Sequence, residues 1–147
     1  MNGKEESEKL LNAVLPLAER MLKQYGEFYP YGGYMTLDGE IVDVGAKHPE
    51  TDHPRSKDLI QILQSSFRNM ARANKCKAVA IVFDVAVNLP NSSRKSDAIQ
   101  VRIEHVDGYS AEVFFPYHLI NNEIVYNATF AQEGQHDIFG QTCDQAD

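Results

Sequence analysis

The sequence predicts an α+β domain: one mostly antiparallel sheet of five to six strands with two main helices packed on it, in the order α-β-β-α-β-β-β with a further short strand. Three observations carry this. Two stretches, 5–25 and the region following Asp52, bear apolar residues at helical spacing. The segments around them are alternating or continuously apolar, as strands are. Two Asp-Gly pairs, Asp38-Gly39 and Asp107-Gly108, fall where hairpins would turn.

In the first helix, Leu10, Leu11, Val14, Leu15, Ala18, Met21, Leu22 and Tyr25 form the apolar stripe, and Gly26 is a natural stop. Pro16 lacks a backbone donor and predicts a kink there, or two shorter helices meeting. Strands are expected at Tyr34–Leu37 and Glu40–Gly45, joined by Asp38-Gly39. The loop 46–55 contains Pro49 and Pro54, which do not continue a sheet interior. A second helix should begin between Asp52 and Ser56, either of which could cap it, with Leu59, Ile60, Leu63, Phe67, Met70 and Ala71 as its buried stripe.

The run 77–87 is short, rich in β-branched residues and almost continuously apolar, which predicts an internal strand covered on both faces. The stretch 98–105 alternates Ile99, Val101 and Ile103 against Gln100, Arg102 and Glu104, the latter set read as a solvated face. Pairing it with 109–115 across a two-residue turn would mix the faces. A three-residue loop, Val106-Asp107-Gly108 with Gly108 left-handed, instead pairs Ile103 with Ala111, Val101 with Val113 and Arg102 with Glu112. Asn121-Asn122 suggests one more turn into a strand around 124–129. A single domain, 1–147, is expected, with 132–147 a loose tail.

Charge narrows the choice of partner. Among 147 residues, 14 Lys and Arg stand against 21 Asp and Glu, a formal net charge of -7. That balance argues against nucleic acid, which demands a basic face. Residues 1–75 hold ten basic and eleven acidic side chains, and residues 76–147 hold four and ten, so the negative field belongs to the second half. A partner steered by that field is another protein with a basic surface. No apolar run approaches the roughly 18 residues needed to cross a bilayer. With a polar, acidic start, a cytoplasmic protein without membrane association is expected. Cys76 and Cys143 show no metal-ligand spacing and predict no disulfide.

Three places carry candidate chemistry. The segment 27–34 crowds Phe28, Tyr29, Tyr31 and Tyr34 beside Gly32 and Gly33. With Glu27, Asp38 and Glu40 it makes a candidate partner-binding surface of aromatic anchors and carboxylates; the competing reading is that the rings lock the first helix to the sheet. The loop at His48, Asp52 and His53 offers imidazoles and carboxylate that a divalent metal would accept, but on a proline-broken loop without fixed geometry. It also reads simply as a polar lead-in to a helix. Glu104, His105 and Asp107, with Asp97, Glu112 and His118, could form an acid/base cluster, although a satisfied edge histidine explains His105 equally well. No catalytic residue and no cofactor is assigned.

The segment Glu27-Phe28-Tyr29-Pro30-Tyr31-Gly32 followed by Leu37-Asp38-Gly39-Glu40 resembles a loose set of uncharacterised small bacterial α+β proteins. So do Asp97-Ala98-Ile99 through Ile103-Glu104-His105, Asp107-Gly108 and Phe115-Pro116-Tyr117. Some small acidic proteins of this kind resemble immunity proteins of bacterial toxin systems, which mask a toxin surface. The acidic, Tyr-rich surface predicts a non-catalytic protein-binding module, and the resemblance implies an immunity-like role for it. A small metal-dependent hydrolase and a homodimeric structural domain are the alternatives. The order of elements is also similar to that of roadblock-type and profilin-like modules, an analogy of fold alone.

Overall fold

The computed structural model describes residues 2–48, 50–51 and 53–140. Its elements are α1 (Gly3–Tyr25), β1 (Tyr31–Met35), β2 (Ile41–Gly45), α2 (Ser56–Arg72), β3 (Ala78–Asn88), β4 (Lys95–His105), β5 (Ser110–Ile120), β6 (Glu123–Tyr126) and β7 (Phe130–Glu133). All strand pairs are antiparallel, in the order β2-β1-β3-β4-β5-β6, with β7 also on β5. The α+β class therefore holds, with seven strands rather than five or six. Among the described residues no helix is long and apolar enough to cross a membrane.

One helix covers each face. Leu10, Val14, Ala18 and Leu22 of α1 pack on Ala78, Ala80, Val82, Ile99, Val101 and Ile103. Leu63 and Phe67 of α2 pack on Val79, Ile81 and Phe83. Alternate residues of β3 thus feed two cores, which is why its sequence is apolar without period.

Helix α1 is a single element through Pro16, so of the two outcomes expected there the meeting of two shorter helices does not occur. Asn2 caps its start by accepting from the Glu5 N–H at 2.8 Å. Gly26, at φ 78°, ends it. In α2 Ser56 is already helical and Arg55 occupies the cap position without a side-chain cap bond, so Ser56 is not the cap; Asp52 lies outside the described residues.

Strand β1 begins at Tyr31 rather than Tyr34, because Gly32 and Gly33 belong to the sheet. They let both helices close in on it. A Cβ on Gly33 would lie 2.6 Å from Val14 Cγ1, and one on Gly32 would lie 2.7 Å from the Ala80 carbonyl and 2.9 Å from the Phe67 ring.

The β4–β5 hairpin has the expected three-residue loop and register: Val101 faces Val113, Arg102 faces Glu112, Ile103 faces Ala111, and Gly108 has φ 105°. The expected solvated face is different. Gln100 and Glu104 are buried: Gln100 donates to Glu112 on β5, and residues 138–139 fold back onto Glu104. Strands β6 and β7 both run along the outer edge of β5, interrupted at 127–129 opposite Pro116. Pro116 accepts there from the Asn127 N–H but has no donor to return. Beyond β7, Ile138 and Phe139 pack beside α2. Residues 132–140 are thus built into the fold where a loose tail was expected, and 141–147 lie outside the described residues.

Candidate functional site

The C-terminal end of α1, the link into β1, the start of α2 and the far end of β3 meet at one end of the sheet. Between them lies an open cleft of about 580 Å³ lined by Met21, Tyr25, Glu27, Phe28, Tyr29, Ser56 and Asp84. Gly26 ends α1 in the left-handed conformation and turns the chain back toward the sheet. Phe28 then tucks against the α1 core and meets Tyr31 edge-on at 6.0 Å, whereas Tyr25 and Tyr29 stay 68% and 53% exposed.

Asp84 shares the α1 face of β3 with Val82, one step beyond the apolar core. Its Oδ1 accepts from the Tyr117 hydroxyl at 2.9 Å. Burial raises its carboxyl above the ordinary 3.8; bonds from the Tyr117 hydroxyl and the Val85 N–H oppose this, and the negative charges of Asp97 and Glu27 reinforce it. The Tyr117 hydroxyl is itself pushed up, by burial first and then by the bond to Asp84. None of the ion pairs among the described residues involves Asp84, Glu27 or Asp97. The arrangement is a half-buried carboxylate, held on one side by a hydroxyl and flanked by acids, opening into an aromatic cleft.

The residues singled out in the sequence are dispersed by this geometry. Glu27, Phe28 and Tyr29 line the cleft. Tyr31 is only 5% exposed and presents no surface to a partner. Tyr34 points to the opposite face, where it packs edge-on against Phe67 at 6.5 Å. Asp38 and Glu40 are exposed in the β1–β2 turn, at the other end of β1 from the cleft. Asp84, Asp97 and Tyr117 come from the acidic half of the chain and were not singled out for this site by sequence reasoning. For Asp84 a signal was present, since it is the one charged residue in the run 78–87.

The His48 Nδ1 accepts from the Glu50 N–H at 3.1 Å, and His53 is exposed. Asp52 lies outside the described residues, among which no group of three or more His, Cys, Asp or Glu is placed to hold a metal ion. The supposed acid/base cluster is divided, although His105 and Asp107 stay together: the His105 Nδ1 lies 3.2 Å from Asp107 Oδ1 and accepts from the Asp107 N–H at 3.1 Å. His105 Nε2 lies 2.9 Å from Glu6 Oε1 on the α1 side, and Glu6 also pairs with Lys77. Glu104 is on the other face, accepting from the Ile138 and Phe139 N–H groups. Asp97 lies at the far end of β4, Glu112 accepts from Gln100 and Gln132, and His118 is exposed. His105, Glu104 and Glu112 each tie separate parts of the chain together.

Comparison with protein-family models, with curated proteins and with solved structures gives no match.

Proposed function

We propose that this protein is a non-catalytic binding module that recognises another protein through the cleft formed by Tyr25, Glu27, Phe28, Tyr29 and Asp84. The mechanism is occlusion, as in an immunity-like role: exposed rings supply rigid contact area, and the surrounding acids steer a basic surface into place. The observation that carries this reading is the junction of the two halves of the chain, aromatic from the first and carboxylate from the second, around one opening. Cofactors play no part in it, and the setting is a cytoplasmic one.

The test is affinity capture from the source cells with three baits: the native chain, Tyr29→Ala, and a double variant Asp38→Asn with Glu40→Gln. One defined protein should be retained by the native and turn-variant baits and lost by Tyr29→Ala. Capture that is identical for all three, or lost equally in the turn variant, overturns the use of this cleft.

A further inference from the structure

Resting on that reading, we propose that the cleft is built for one side chain of the partner, an arginine whose guanidinium enters between the aromatic residues and reaches Asp84. Three features point to it. First, Asp84 is half-buried and forms no ion pair among the described residues, and the charges of Asp97 and Glu27 acting on it are also negative. A carboxylate desolvated among like charges is poised to gain from an incoming cation. Second, the Tyr117 hydroxyl occupies Oδ1 from the strand side. A carboxylate offers about four lone-pair sites, so with the Tyr117 hydroxyl and the Val85 N–H bonded to it Asp84 retains acceptor capacity for a guanidinium N–H. Third, the remaining lining is Met21, Tyr25, Phe28 and Tyr29. Flat rings and a thioether suit a planar, weakly hydrated cation that stacks, and suit a compact, strongly hydrated ammonium less well.

The cleft of about 580 Å³ is larger than one side chain, so the arginine would arrive on a protruding segment whose neighbours fill the rest. Glu27, exposed at the rim, is placed to meet the guanidinium or a flanking base and to raise the encounter rate.

The experiment titrates the intact protein with capped arginine, capped lysine and capped citrulline, which keeps the shape of arginine without its charge. Amide and side-chain shifts are followed by NMR. Arginine should give saturable shifts confined to 21, 25–29, 56 and 84, weakening as salt rises. Lysine should bind several-fold more weakly and citrulline not measurably. Asp84→Asn should weaken arginine binding about 10-fold or more, from loss of a charge-assisted bond. Glu27→Gln, at an exposed position, gives a second readout should Asp84→Asn disturb folding, and Asp38→Asn should change nothing. Equal binding of lysine or citrulline, or shifts scattered over the acidic surface and indifferent to Asp84→Asn, overturns the assignment. The two proposals fail separately: if arginine binding is absent while Tyr29→Ala still abolishes capture, the binding surface stands and its arginine does not.

Discussion

The hydroxyl of Tyr31 is inserted into helix α1, where it accepts from the Ala18 N–H at 2.9 Å and donates to the Val14 carbonyl. Those two groups are the ends of one i to i−4 step, and the step spans Pro16. A side chain from β1 thus ties the sheet to the helix backbone close to the residue that weakens it. Burial, above all, pushes the Tyr31 hydroxyl well above the ordinary tyrosine value, so it stays protonated and able to donate. Tyr31→Phe keeps the ring and removes both bonds. It should lower stability by about 1–3 kcal/mol, seen as a shifted urea midpoint at unchanged slope. A midpoint equal to the native one would mean that the helix closes its own bond without help.

Gly33 and Val14 set the distance of α1 from the sheet, as Gly32 and Phe67 do for α2. Gly33→Ala forces a methyl to 2.6 Å from Val14 Cγ1, at a cost of about 1–3 kcal/mol. Val14→Ala opens space at the same point. In a double-mutant cycle the two changes together should therefore cost clearly less than their sum. Gly32→Ala should be harder to rescue, since the Ala80 carbonyl that it meets is backbone. Simple additivity of Gly33→Ala and Val14→Ala would show that the close approach is not what requires glycine.

Glu104 fastens residues 138–139 across the α2 face of the sheet by accepting from both of their N–H groups. Removing the acceptor leaves those donors to find water. In Glu104→Ala, amide exchange at Ile138 and Phe139 should accelerate by about 10-fold or more. Proteases should cut after 133 earlier than in the native chain, while α1 keeps its protection. Glu104→Gln retains one acceptor and should fall between. Unchanged exchange in Glu104→Ala would mean that the apolar contacts of Ile138 and Phe139 alone hold the strap.

The limits of reading this chain follow from the same contacts. Alternation in 98–105 and 109–115 was sufficient for the hairpin, because one register alone keeps the apolar residues together and sets Arg102 against Glu112. Alternation does not reveal what lies over each face. Gln100 and Glu104 have the pattern of solvent-facing residues yet are buried, Glu104 because residues 138–139, more than thirty positions later, return to bond it. The aromatic segment 27–34 was recognisable as a feature but divides among the two cores and the cleft, a division set by Gly26 and by the strand that starts at Tyr31. The candidate site lay half outside the visible motif because Asp84 reaches Tyr29 only through the pairing of β1 with β3.

Three carboxyls should give the protein a stability maximum on the acid side of neutrality. Asp84 and Glu104 are raised from ordinary values of 3.8 and 4.5, burial being the largest cause in each. The folded state therefore holds their protons more tightly than the unfolded chain does. Their ionisation weakens folding at neutral pH, and that penalty is relieved as pH falls through the folded values. Glu6 works in the opposite sense. Its hydrogen bonds to Lys77, first, and His105 hold it below 4.5, so its contribution is complete above that value and lost as pH falls through the depressed one. Urea unfolding between about pH 8 and pH 3.5 should thus show stability first rising and then falling as acid is added. Asp84→Asn and Glu104→Gln should each flatten the rise, and Glu6→Gln should flatten the fall while lowering stability at neutral pH. A steady decline of native stability from pH 8 downward, unaltered by Asp84→Asn, would show that Asp84 is not desolvated by its neighbours and would remove the electrostatic reason for a cation in the cleft.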